Sequence, residues 1–200
     1  QQPLRGNKWC MNANNNNTAS VVLYIPGHWG SYMQSRSIGA HGIQLTGQRA
    51  TKQAQKVIHA LSHNLWSGKT AEEFIFDVYA VDFMEEGTAL HGDYVRDQTA
   101  FVQQVILYLT KNCHYTTITL LGHSFGGYVA RLVTAMYPQQ HVVKHIVTLG
   151  TPHASPVFGW DSSIYQLHQE FFQTTASNHN NTTNTPPLLV LISGGLRDEM

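Results

Sequence analysis

Five short runs along the chain are dominated by apolar and β-branched residues: Val21–Ile25, Phe74–Val81, Thr117–Leu121, His145–Leu149 and Leu188–Ile192. A strand covered on one face alternates apolar with polar positions, so nearly unbroken runs mark strands covered on both faces, as in a parallel sheet. Between them the apolar spacing changes to three and four. Val57, Ile58, Leu61 and Leu65 share one side of a helix over 48–66, and Val95, Phe101, Val102, Val105, Ile106 and Leu109 do so over 94–109. A third helical stretch, 127–136, follows the third strand at once. Strands alternating with helices predict an α/β domain with a mostly parallel central sheet, flanked by helices on right-handed crossovers. Residues 1–19 carry an Asn run without packing pattern and read as an irregular lead-in to a domain over 20–200. Residues 173–187 are polar, rich in Thr and Asn, and read as a surface loop. No internal repeat and no second core is visible.

The third run leads into Gly122-His123-Ser124-Phe125-Gly126-Gly127. Gly-x-Ser-x-Gly alone is short enough to arise by chance. Here it has the context its mechanics need, a buried strand before and a helix after, which is the nucleophile elbow of an α/β-hydrolase fold. The turn is so tight that Gly122 and Gly126, two residues either side of Ser124, must lack a Cβ. The competing reading, a glycine-rich turn that only packs or binds phosphate, explains less of this context. Ser124 is therefore the candidate nucleophile, and the backbone amide of Phe125, at the start of the next helix, is a candidate oxyanion donor.

A second oxyanion amide usually comes from the loop after an earlier strand. Pro26-Gly27-His28-Trp29-Gly30-Ser31 has the right place in chain order, with His28 N–H the first candidate and Trp29 N–H the next. The triad acid is expected after a later strand. Ser193-Gly194-Gly195-Leu196-Arg197-Asp198 supplies Asp198, with Asp161 in reserve. A turn or helix-cap role is the plainer alternative for either carboxylate. The base should follow as a histidine, and none lies between Asp198 and Met200. The chain thus reads as C-terminally truncated, with its triad histidine beyond Met200 and no activity on its own. His153 and His91 are candidates for the rim of the site, with structural roles as the alternative. His59/His63 and His141/His145 are each four apart but lack the Glu of a zinc-protease helix, so no metal and no cofactor is expected.

Charged residues make up only 12% of the 200, and Lys plus Arg (12) equals Asp plus Glu (12). That balance gives no electrostatic reason to expect nucleic acid as a partner. No basic-then-apolar leader and no membrane-length apolar run is present in these residues. Cys10 and Cys113 allow one pairing and do not require it. Asn16, Asn180 and Asn181 each begin an Asn-x-Thr sequon in a polar stretch.

Several further stretches resemble the GPI inositol-deacylases. They are Ile25-Pro-Gly-His-Trp-Gly-Ser31 with Gln34-Ser-Arg36-Ser37, Asp82-Phe83-Met-Glu85-Glu86, Ala89-Leu-His91-Gly92 with Asp97-Gln98, the elbow through Arg131, Val147-Thr-Leu-Gly-Thr-Pro-His153 and Ser193-Gly-Gly-Leu-Arg-Asp198. The elbow and Thr-Pro-His recur in many lipases, whereas Asp-Phe-x-Glu-Glu with the downstream His-Gly discriminates more. The resemblance implies a serine ester hydrolase that removes the acyl chain from the inositol of GPI-anchored proteins, the GPI lipid being its substrate. It further implies an endoplasmic reticulum membrane enzyme, held by segments outside this chain and linked to quality control and ER-to-Golgi transport. Trp29 departs from the small residue more usual there. A general lipase or esterase of the same fold, or a non-catalytic binding module, are the rival expectations.

Overall fold

The computed structural model describes residues 10, 20–38, 40, 76–137, 141–153, 161–169 and 187–192. Among these, five strands form one parallel sheet: β1 Ser20–Ile25, β2 Phe76–Ala80, β3 Thr117–His123, β4 Val143–Leu149 and β5 Leu188–Ile192. Their spatial order is β2-β1-β3-β4-β5. Two long helices lie between strands, α1 Gly92–Lys111 and α2 Phe125–Met136, and residues 162–169 are also helical. Every strand expected from the apolar runs is present. The helix expected over 48–66, the loop over most of 173–187 and the sequons at Asn16, Asn180 and Asn181 lie outside the described residues.

The core follows from the two periodicities. Val95, Val102, Ile106 and Leu109 form one buried stripe on α1, and Val129, Leu132 and Val133 do the same on α2. These stripes meet Val21, Leu23, Ile25, Ile118, Leu120, Val143 and Ile146 from the sheet in one cluster. α2 packs on β1, β3 and β4 and also against α1. Each buried Leu, Ile or Val side chain contributes about 1.5–3 kcal/mol relative to exposure, so this cluster holds the sheet and both helices together.

β5 departs from the expectation of a strand covered on both faces. It pairs only with β4 among the described residues, and its apolar side chains stand largely open, Leu191 at 57% exposure. Among the described residues β5 is the last strand of the sheet, with β4 as its one neighbour.

The topology also places a site. The chain moves outward from β1 to β2, then returns past β1 to β3 and continues to β4 and β5. β1 and β3 are therefore neighbours whose onward connections diverge, and ligands of such sheets bind beyond the carboxyl ends of strands at this switch point. The register pairs Ile25 with Gly122 and His123 with Leu149, bringing the ends of β1, β3 and β4 level.

Cys10 and Cys113 form a disulfide, which the sequence alone left open. It ties the lead-in to the turn between α1 and β3 across a separation of 103 residues, and Cys10 packs against the core. Cross-linking a loop of this length stabilises a fold by about 4–5 kcal/mol in the chain-entropy description. Reduction with dithiothreitol, or Cys113→Ser, should lower the thermal unfolding midpoint by several degrees. An unchanged midpoint on complete reduction would show that the bond contributes nothing.

Candidate active site

Ser124 stands one residue beyond β3, at φ 51° and ψ −126°, a conformation that L-residues rarely adopt. Strain of this kind persists only where surrounding structure fixes it. Here both backbone polar groups of Ser124 are held from β4: its N–H donates to the Leu149 carbonyl at 2.7 Å, and its carbonyl accepts from Thr151 Oγ1 at 2.8 Å. That carbonyl also accepts from Gly127 N–H at 3.1 Å, closing the turn into α2. A Cβ at Gly126 would stand 2.2 Å from the Ile25 carbonyl oxygen, and one at Gly122 would stand 2.3 Å from Gly127 Cα. The Gly-x-Ser-x-Gly spacing is thus a packing requirement of the elbow. The Ser124 side chain is half-buried and so keeps an open side.

The loop after β1 lies directly against the elbow. A Cβ at Gly27 would fall 2.7 Å from Ser124 Cβ and 3.2 Å from Phe125 N. Two segments therefore bring backbone amides to the same place, the β1 loop and the N-terminus of α2. Phe125 N–H is the first amide of its helix, where no intrahelical acceptor exists. Among the described residues, His28 N–H makes no turn or loop hydrogen bond. Trp29 N–H does: it donates to the Glu86 carbonyl at 3.1 Å, which removes it from the oxyanion donors the sequence suggested. Trp29 instead takes φ 52°, stacks its ring on His28 at a centroid distance of 4.3 Å and leaves its side chain 66% exposed.

The histidines occupy defined places, and among the described residues no hydrogen bond joins Ser124 Oγ to an imidazole. His28 Nδ1 accepts from Ala89 N–H at 3.1 Å, so its proton sits on Nε2. His153 is half-buried between Arg131 Nη1, 2.7 Å from Nδ1, and Thr148 Oγ1, 3.0 Å from Nε2. It ties the loop after β4 to Arg131 on α2. His91 is exposed, stands at the N-cap position of α1 without a side-chain capping bond, and packs edge-on against Tyr94 at 5.2 Å. Asp198 lies outside the described residues. Asp161, the reserve acid, is otherwise engaged: its carboxylate accepts from Gly92 N–H at 2.7 Å and Ser163 N–H at 2.8 Å, capping α1 and helix 162–169 together. Those two backbone bonds hold its carboxyl below the usual range.

Sequence reasoning missed Thr151 and Arg131 as supports of the elbow. Both lie in stretches that it singled out, but only the fold shows that a hydroxyl after β4 reaches the carbonyl of Ser124.

A parallel sheet in this order, with a strained serine at its switch point and amides converging from two segments, defines an α/β-hydrolase fold. Residues 16–200 match the family model described as PGAP1-like alpha/beta domain, and the chain belongs to that family. It is 32% identical over 188 residues to the GPI inositol-deacylase of Rattus norvegicus, covering 90% of this chain and 18% of the relative. It is 38% identical over 157 residues to the GPI inositol-deacylase of Cryptococcus neoformans var. neoformans serotype D (strain B-3501A), covering 73% of this chain and 18% of the relative. The chain therefore spans about one fifth of the length of these curated relatives. Among solved structures it is similar to a Bacillus licheniformis lipase, BlEst2 in mature form, at 14% identity and a TM-score of 0.48, covering 88% of this chain and 66% of that one.

Burial pushes the His28, His145 and His153 imidazoles below the ordinary histidine value of 6.5, with Lys144 adding to this at His145 and Arg131 at His153. The folded state therefore resists protonation that the unfolded chain accepts. Stability is fully present above the unfolded value and is lost as pH falls below it. The unfolding midpoint should fall between about pH 7.5 and about pH 5.5, and His153→Gln should flatten that dependence. A midpoint constant across this window would contradict the assignment of neutral, buried imidazoles.

Proposed function

We propose that this chain is the catalytic domain of a serine ester hydrolase that removes the acyl chain from the inositol of GPI-anchored proteins. The observation that carries the reading is the strained Ser124, flanked by the first amide of α2 and by the His28 amide, which makes no turn or loop hydrogen bond among the described residues. The names of the relatives favour GPI as the substrate. Ser124 Oγ attacks the ester carbonyl while a histidine base, oriented by Asp198, takes its proton. His28 and Phe125 N–H groups donate to the tetrahedral oxyanion. The inositol oxygen leaves with the proton from the histidine, an acyl-Ser124 remains, and water then releases the fatty acid and restores the hydroxyl.

The compartment we propose is the endoplasmic reticulum membrane, with attachment through segments outside this chain. The disulfide supports an oxidising compartment, where such bonds persist. Among the described residues no helix is long and apolar enough to cross a membrane. In that compartment the deacylation step serves quality control of GPI-anchored proteins and their passage to the Golgi.

Ser124→Ala in the full-length protein tests this. An acylated inositol hydroxyl cannot take part in phospholipase C cleavage, so cells carrying only the variant should retain surface GPI-anchored proteins after phospholipase C treatment. Release equal to wild type would overturn the assignment.

A further inference from the structure

The loops after β1 and β2 are joined by a polar seam away from the reacting atoms. His28 Nδ1 accepts from Ala89 N–H at 3.1 Å, and the Glu86 carbonyl accepts from Trp29 N–H at 3.1 Å. Behind them the side-chain amide of Gln98, on α1 and only 3% exposed, donates from Nε2 to Glu86 Oε2 and to Thr88 Oγ1, each at 2.9 Å. The Glu86 carbonyl also receives Thr88 N–H at 2.9 Å. Residues 86–89 are thus fixed to α1 on one side and hold two consecutive residues of the β1 loop on the other. This gathers residues from three separated stretches of sequence, His28-Trp29, Glu86 to Ala89 and Gln98.

A glycine-containing loop has many backbone states, and an amide contributes to an oxyanion site only when it is held in place before the charge develops. The seam supplies that restraint. Trp29 takes a left-handed conformation with its N–H on Glu86, and the next amide, Gly30 N–H, turns back to the Gly27 carbonyl at 2.9 Å. His28 N–H lies between these anchored points, beside the glycine that touches Ser124 and Phe125. The His28 ring is the one side chain within the loop that bonds to the opposing backbone among the described residues.

The geometry points to the His28 side chain as a positioning residue: its Nδ1, bonded to Ala89 N–H, aims the backbone amide of His28 at the substrate oxyanion. This deepens the proposed function and rests on it. The imidazole moves no proton in this role. What matters is an acceptor at the place of Nδ1, not a ring or a charge.

Two substitutions separate these properties. His28→Phe keeps a ring to stack on Trp29 and removes the acceptor. His28→Asn removes the ring and puts Oδ1 near the place of Nδ1. Fatty acid release from an inositol-acylated GPI lipid in detergent would be followed with the full-length protein, alongside Ser124→Ala and a thermal melt of each variant. His28→Phe should lower kcat by roughly 10- to 100-fold with KM changed by less than about threefold, since loss of a whole oxyanion donor costs 100- to 1,000-fold. His28→Asn should recover most of that loss. Wild-type kcat in His28→Phe, or a His28→Asn as slow as His28→Phe while equally folded, would overturn the positioning role. If His28→Phe does not fold, His28→Ala against His28→Asn gives the same contrast. An active Ser124→Ala would overturn the functional reading and this inference with it. A silent Ser124→Ala beside a fully active His28→Phe would sink this inference alone.

Discussion

A single strained residue, held at both of its backbone polar groups, organises this domain. Ser124 reaches its left-handed conformation because β3 ends there and α2 begins at the next residue. Such a conformation costs on the order of 1–3 kcal/mol and needs outside support. The support comes from β4 and its following loop, through the Leu149 carbonyl and the Thr151 hydroxyl. Those partners are in reach only because β3 and β4 pair in parallel with His123 level with Leu149. Sheet register, far from the chemistry in sequence, is therefore what presents the serine.

The same register brings the β1 loop to the elbow, and a layered order of support follows. Closest to Ser124 are glycine backbones, where any side chain would collide. Next come the His28 and Trp29 contacts with residues 86–89, and behind them the buried amide of Gln98. On the opposite side, Arg131 and Thr148 hold His153, steadying the loop that carries Thr151. The outer layers consist of directional hydrogen bonds laid over an apolar core made by α1, α2 and the sheet.

Much of this was legible in the sequence, for identifiable reasons. Apolar, β-branched runs located all five strands because strand preference is a local property of such runs, and the elbow was visible because its glycines are sterically required. Three features were hidden because they depend on distant partners. The exposure of β5 depends on what lies beside it, and among the described residues β4 is its one strand neighbour. Trp29 was a reasonable oxyanion candidate by position, but its amide meets Glu86, more than fifty residues away in sequence. Asp161 carried the right functional group for a triad acid, yet two helix starts converge on its carboxylate. Asp198 followed a correctly read strand but lies outside the described residues.

The most direct measurement is covalent labelling of the full-length protein with a fluorophosphonate, which phosphonylates a serine only when its hydroxyl is activated and an oxyanion site receives the phosphoryl oxygen. Peptide mass spectrometry should place the adduct on Ser124 in the native protein and find none after denaturation. A folded protein that stays unlabelled, or one labelled on a different serine, would contradict the account.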